Sequence, residues 1–301
     1  METNELEHEE DDVEAEDAAD PREAAVAALV AEAEALGAEE RWDEARSMLL
    51  EAVEEHGDDA SLFCWLGIAS ERLGEEGEAY EFFRRALALE PTDPFVLAAA
   101  GTGVAAYDDP EAERALRLAA LTAPGFPFAR AAYGAYLARE GMYEQAAAEL
   151  MAARDLAPDD TYVRAELGVT YLLARRTDEG LAELENALSG PDESWMRGLF
   201  GLALIDAGRT EEGAEHLHRA ASERVEDVEL QLLTALAAAA QGWEDEAYAA
   251  LARAEDAASP EDRELIRETE EAVEDGREAA EDFLREHLGP TLLRERLHQR
   301  A

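Results

Sequence analysis

Lysine is missing from this 301-residue chain, so all 26 of its basic residues are arginines. That absence excludes a Walker-type phosphate loop and Schiff-base chemistry, both of which need a lysine amine. Cysteine occurs once, at Cys64, which excludes an intrachain disulfide and is compatible with a reducing interior. Neither a G-x-S-x-G nucleophile turn nor an H-E-x-x-H helix is present. His216 and His218 are two apart on a helical pattern, so they point in different directions and cannot share a metal. No window of 18 apolar residues is free of charge, so no membrane insertion is expected. The first twenty residues, METNELEHEEDDVEAEDAAD, hold eleven acids and neither lysine nor arginine. A secretory leader needs a positive start and an apolar run, so residues 1–20 read as a solvated acidic tail.

What the chain does contain is acid. Its 73 aspartates and glutamates set a formal charge of −47, and its isoelectric point is near 4.2. Disordered chains combine high charge with few apolar residues, but 47% of this one is hydrophobic. It is therefore expected to fold, against considerable self-repulsion. Molar salt relieves that repulsion by shrinking the Debye length to about 3 Å. Acid excess, abundant alanine and absent lysine together point to a salt-adapted cytoplasm of the haloarchaeal type. Without a basic footprint, nucleic acid is not an expected partner.

The informative pattern is periodic. Pro91, Pro124 and Pro158 stand 33 and 34 residues apart and close similar text, as in RRALALEP and LMAARDLAP. A small residue recurs at the same interval, at Ala33, Gly67, Gly101, Gly134, Gly168, Gly201 and Ala235. Sixteen residues later (fifteen in the third copy) comes a large apolar one: Leu49, Phe83, Leu116, Leu150, Leu184, Leu217 and Leu251. Alanine follows three further on in every copy. Each period reads as two amphipathic helices that cross at the small residue, with the large one filling the gap beside it. Glycines such as Gly74, Gly141 and Gly208 end first helices, proline ends second ones, and Asp93, Thr161 and Ser259 are candidate N-caps. One such pair cannot bury its own apolar face, so the pairs must stack.

These residues resemble the tetratricopeptide repeat. The best copy is FCWLGIASERLGEEGEAYEFFRRALALEP, with Phe63, Leu66, Gly67, Ala79, Phe83, Ala86 and Pro91 in the family positions. The resemblance implies an all-α fold, a right-handed α-solenoid of about seven helix-turn-helix repeats spanning 21–260. Repeats are placed near 26–59, 60–93, 94–126, 127–160, 161–193, 194–227 and 228–260. Capping helices and a short basic tail are expected over 261–301. The third copy is one residue short, at Tyr107 to Pro110, and the last two prolines slip to Pro191 and Pro260. The resemblance further implies that the first helices line a concave groove holding a segment of a protein or peptide partner.

A helical wheel divides each first helix. Numbered from the start of each repeat, positions 4, 7, 8 and 11 face the second helix, and 2, 5, 9 and 12 face the groove. Position 2 is Phe95, Phe128, Tyr162 and Trp195 in four successive repeats. Around it lie Ala131, Ala165, Val169, Leu202, Leu232 and Leu236. The predicted groove is thus apolar and aromatic in an otherwise acidic protein, which marks an interaction surface. The same rings are alternatively core residues. Position 4, usually apolar in the family, is Arg130, Arg164 and Arg197. This ladder either pairs with the chain's own carboxylates or grips a partner's carboxylates or phosphates. Chaperone-docking members of the family clamp a terminal carboxylate with lysines and asparagines. Cys64, Ile68, Ala98 and Thr102 occupy those positions here, so no such clamp carries over.

The expected function is therefore a non-catalytic interaction scaffold without a cofactor or metal. The alternative is an acidic escort that holds basic client proteins by surface charge alone.

Overall fold

The computed structural model describes residues 20–189 and 193–289, and every regular element among them is helical. Of the predicted tails only Asp20 falls within this range; residues 1–19, the basic tail 290–301 and Pro191 lie outside it. The chain divides into two compact units between Pro91 and Thr92. The first unit holds α1 (Pro21–Ala38), α2 (Trp42–His56), α3 (Ala60–Arg72) and α4 (Glu76–Ala88). The second begins with α5 (Pro94–Ala105), α6 (Glu111–Thr122), α7 (Pro127–Arg139), α8 (Tyr143–Leu156), α9 (Thr161–Leu173) and α10 (Thr177–Ala187). It continues with α11 (Glu193–Asp206), α12 (Thr210–Glu223), α13 (Val228–Gln241), α14 (Glu244–Ala257), α15 (Arg263–Glu274) and α16 (Arg277–Asp282). A π-helical turn, Phe283–Leu288, extends α16.

Odd and even helices pack as hairpins up to α14, and within each unit successive hairpins stack side by side. Sterics at the crossing of each hairpin explain the sequence period. A Cβ built on Gly134 would lie 2.7 Å from Leu150 Cγ, and one on Gly67 would lie 2.5 Å from the Phe83 ring. In the α9–α10 hairpin both helices supply glycine: a Cβ on Gly180 would sit 2.7 Å from the Gly168 carbonyl oxygen. The α11–α12 hairpin repeats this with Gly213 and the Gly201 oxygen at 2.6 Å. Close approach lets the large residue be enclosed: Leu49, Leu150, Leu184 and Leu217 have at most 1% of their surface exposed. Removing such a leucine side chain typically costs about 2–5 kcal/mol, so each crossing is a substantial part of its hairpin's stability.

The turn inside each hairpin needs one residue with left-handed backbone. It is glycine at Gly74, Gly141, Gly208 and Gly242, with φ between 74° and 82°. The equivalent residues of the other hairpins are Glu40, Asp108 and Arg175, which adopt φ of 58°, 54° and 63° despite their side chains. The missing residue of the third repeat falls just after Asp108. There Asp109 Oδ1 accepts the Glu111 N–H at 2.9 Å, and α6 begins at Glu111 behind Pro110.

Aspartates cap most first helices. The side chains of Asp20, Asp59, Asp93, Asp160 and Asp227 accept backbone N–H groups at the starts of α1, α3, α5, α9 and α13. The cap of α9 is thus Asp160 rather than Thr161, since a carboxylate also complements the positive end of the helix dipole. Residues 259–262 form a turn before α15, in which Asp262 Oδ2 accepts the Ser259 N–H at 2.8 Å.

Two substitutions in one hairpin test these constraints. Gly180→Ala is expected to lose about 1–3 kcal/mol, because backbone lies where its methyl must go. Arg175→Gly is expected to gain about 0.5–1 kcal/mol by releasing a strained backbone. Urea unfolding followed by circular dichroism at 222 nm reads both.

Candidate functional site

The second unit presents the first helices α5, α7, α9, α11 and α13 in succession, and two flanks of them matter. Position 4 ties α7, α9 and α13 into the stack. Arg130 Nε donates to the Pro124 carbonyl at 2.7 Å, and its Nη1 bonds Glu149 of α8 at 2.6 Å. One repeat on, Arg164 Nε donates to the Pro158 carbonyl at 3.0 Å and its Nη1 reaches Glu183 of α10 at 2.9 Å. Glu183 also accepts from Arg154 Nη1 at 2.6 Å. In α13 the same position is Gln231, whose amide donates to the Ala221 carbonyl at 2.8 Å and accepts from Arg253 Nε at 3.0 Å. Arg130 and Arg164 each staple their helix to the turn behind it and to its own second helix, and Gln231 links α13 to α12 and α14. Arg130 and Arg164 thus spend these hydrogen bonds within the chain, on its own carbonyls and carboxylates. Arg197 lies near His216, whose pKa is lowered by burial and then by Arg197 and Arg219.

The other flank carries the aromatic row. Phe95 of α5 and Phe128 of α7 meet across neighbouring repeats, with ring centroids 5.7 Å apart and planes tilted by 31°. Phe126 adds a third ring edge-on to Phe128 at 5.9 Å. Sequence reasoning missed Phe126; its one signal is that it stands where other repeats have the capping aspartate. Phe128 is 40% exposed and Tyr162, in the same position of α9, is 41% exposed. Phe95 is half-buried. Beneath the rings Ala131 is half-buried, whereas Ala165 and Val169 are buried.

The row does not continue outward along the whole unit. Trp195 is 8% exposed and packs in a core cluster with Val169, Leu199 and Leu202. Leu232 and Leu236 of α13 are completely buried, which removes them from any ligand-facing surface. What covers them is the chain itself: α16 and its π-helical extension pack on α13 and bring Ala280, Leu284 and Leu288 into the same cluster. Gly242 at the end of α13 receives the Arg277 guanidinium so closely that any side chain there would displace it.

Among the described residues no group of three His, Cys, Asp or Glu is placed to hold a metal. Cys64 is fully buried. His216 stacks edge-on with Phe200 at 4.9 Å, and His218 lies in an open cleft with Glu215, Arg219, Trp243 and Glu246. One carboxyl stands apart from the surface acids. Glu166 of α9 is half-buried, makes no hydrogen bond or ion pair with a described residue, and has its pKa pushed up to about 7 by burial alone.

Comparison with known proteins identifies the architecture. A family model described as tetratricopeptide repeat matches residues 30–94 and 199–262. The Cut9–Hcn1 hetero-tetramer of APC/C superposes with a TM-score of 0.65 at 15% identity, over 80% of this chain and 48% of that one. PilW, a type IV pilus biogenesis factor, gives 0.54 at 17% identity, over 66% and 93%. At these identities the likeness is one of fold. A probable biofilm formation methyltransferase, WspC of Pseudomonas aeruginosa, is 38% identical over 74 residues, which span 25% of this chain and 18% of that protein. Residues 30–94 and 199–262 thus match the tetratricopeptide repeat within an all-helical stack, and no helix among the described residues is long and apolar enough to cross a membrane.

Two outcomes check the site's electrostatics. Arg164→Ala is expected to destabilise by about 1–3 kcal/mol in urea unfolding, the usual cost of losing hydrogen bonds to a charged group, with Arg164→Leu milder. The raised pKa of Glu166 means that the folded chain keeps this proton when the unfolded chain has released it. Stability therefore falls as pH rises from about 4.5 to about 7. Glu166→Gln should remove this part of the pH dependence and stabilise the fold at pH 8 but not at pH 4, which melting curves at the two pH values measure.

Proposed function

We propose that this chain is a non-catalytic interaction scaffold of the tetratricopeptide-repeat kind, and that its second unit holds a partner's segment on the face bearing Phe95, Phe128 and Tyr162. The observation that carries the reading is the aromatic cluster itself. Phe128 meets both Phe95 and Phe126, yet keeps 40% of its surface in solvent. A folded chain with 73 acidic side chains has ample means to cover such rings, and exposed aromatics in contact are the usual anchors of an interface. The committed position-4 arginines favour the same reading, because they leave the ring-bearing flank as the adaptable one. In this view Trp195, Val169 and Leu202 support the wall from beneath, and α16 closes it at α13.

Binding by rings differs from binding by net charge in its response to salt. Apolar burial persists or strengthens in molar salt, while an acidic escort loses basic clients as charges are screened. Immobilised peptide arrays probed at about 0.1 M and about 2 M salt separate the two. The wild-type chain is expected to retain aromatic-rich peptides at the higher salt, and Phe128→Ala with Tyr162→Ala to weaken them by about tenfold or more while helicity and melting change little. Loss of folding in that variant, or retention that vanishes at high salt, would overturn the reading.

A further inference from the structure

Away from the ring-bearing face, the second helices α12 and α14 border an open cleft of about 280 Å³, lined by Glu215, His218, Arg219, Trp243 and Glu246. A volume just below the usual range for drug-sized ligands suits a molecule of amino-acid size. Glu215, His218 and Arg219 are spaced by three and four residues, so they share one face of α12. Trp243 and Glu246 come from the start of α14, where the Trp243 ring is half-buried against the core cluster and forms a fixed wall. The side chains of Glu215, Arg219 and Glu246 make no hydrogen bond or ion pair with a described residue. Opposite charges thus surround one cavity without closing on each other, in a chain whose other arginines mostly find a carboxylate.

The repeat itself marks α14 as the exception. In three hairpins the residue after the left-handed turn position is an arginine that grips the glutamate three residues on. Arg41 with Glu44, Arg176 with Glu179 and Arg209 with Glu212 each form two bonds of 2.6–2.9 Å. After Gly242 the glutamate is kept, as Glu246, but Trp243 stands in the arginine's place. A ring beside a carboxylate can seat a guanidinium, which stacks on the ring and donates hydrogen bonds in its own plane. Arg176 does both within this chain, lying 4.2 Å from the Tyr171 centroid while it bonds Glu179.

Two carboxylates and one guanidinium are complemented by a ligand with two cations and one anion. We infer that the cleft binds a basic α-amino acid, free arginine. The ligand's guanidinium lies on Trp243 and is held by Glu246. Its α-ammonium meets Glu215, and its carboxylate meets Arg219 with the His218 imidazole alongside. The neighbouring opposite charges on α12 match those of the amino-acid backbone, and the ring and carboxylate of α14 match the side chain. Lysine fits less well, because a compact ammonium neither stacks nor bonds in a fork. This site shares no residue with the face bearing Phe95, Phe128 and Tyr162 and does not depend on it.

Isothermal titration calorimetry of the full chain tests the assignment, with L-arginine and three analogues that each lack one charge. L-citrulline has no guanidinium, agmatine no carboxylate and N-acetyl-L-arginine no ammonium. L-arginine is expected to bind, and each analogue to bind about tenfold more weakly or worse. Glu246→Gln should weaken L-arginine to the level of L-citrulline, and Arg219→Gln should weaken it to the level of agmatine while leaving agmatine unchanged. Both side chains are exposed, so circular dichroism should show unchanged helicity in the two variants. No binding of L-arginine, equal binding of L-arginine and L-citrulline, or L-arginine binding that survives both substitutions overturns the inference. N-acetyl-L-arginine carries the charges of a chain that ends in arginine. Its binding as tightly as L-arginine would overturn the free amino acid in favour of such a chain end.

Discussion

The approach of two helix backbones at the middle of each hairpin is the constraint from which the rest of the structure follows. The small residue on the first helix lets the backbones close, and where it is glycine the leucine or phenylalanine of the second helix occupies the space a Cβ would need. Where both helices supply glycine, as at Gly168 with Gly180, carbonyl oxygen approaches backbone directly. That contact fixes the rotation of each first helix about its axis. With the rotation fixed, position 8 must face the second helix, and positions 2 and 6 must face away from it. The ring row and Glu166 share a flank because the glycine crossing leaves them no other direction.

Charge is managed on the opposite flank. An excess of acid puts arginine at a premium, and the chain uses several arginines for work that apolar residues do in other repeats. Arg130 and Arg164 each satisfy a proline-turn carbonyl and a glutamate, whereas Gln231 donates to the Ala221 carbonyl of α12 and accepts from Arg253. These ties are partly buried and geometrically demanding, unlike the many exposed arginine–glutamate pairs such as Arg209 with Glu212, which contribute little. On the proposed reading, a partner meets a face of rings and small residues, because the guanidinium groups of Arg130 and Arg164 are engaged within the chain.

Much of this was legible in the amino-acid sequence because steric rules leave strong marks. The glycine-to-leucine spacing announces the crossing, and the glycines at 74, 141 and 208 announce the left-handed turn residues. The equivalent turns at Glu40, Asp108 and Arg175 carry no such mark, since tertiary packing holds them in a backbone region their side chains disfavour. A helical wheel places Phe128 and Tyr162 on one flank, and both rings are partly exposed, but it knows only one helix at a time. It cannot register that α16 returns to cover Leu232 and Leu236, or that Trp195 sinks among Leu199 and Leu202. Phe126 escaped notice because it precedes its helix. The position-4 arginines were visible as a ladder; their partners depend on which carbonyls and carboxylates the stack brings near.

The central claim is that partner contact occurs on the flank of the first helices that bears the rings. A photoreactive phenylalanine analogue tests this most directly when placed at position 128 of α7 and, separately, at position 118 of α6, where the exposed Leu118 marks a second-helix surface. Irradiation with a bound peptide is predicted to give a covalent adduct from position 128 and none from position 118. Adducts from position 118 with none from position 128 would place the partner on the other surface and contradict the account.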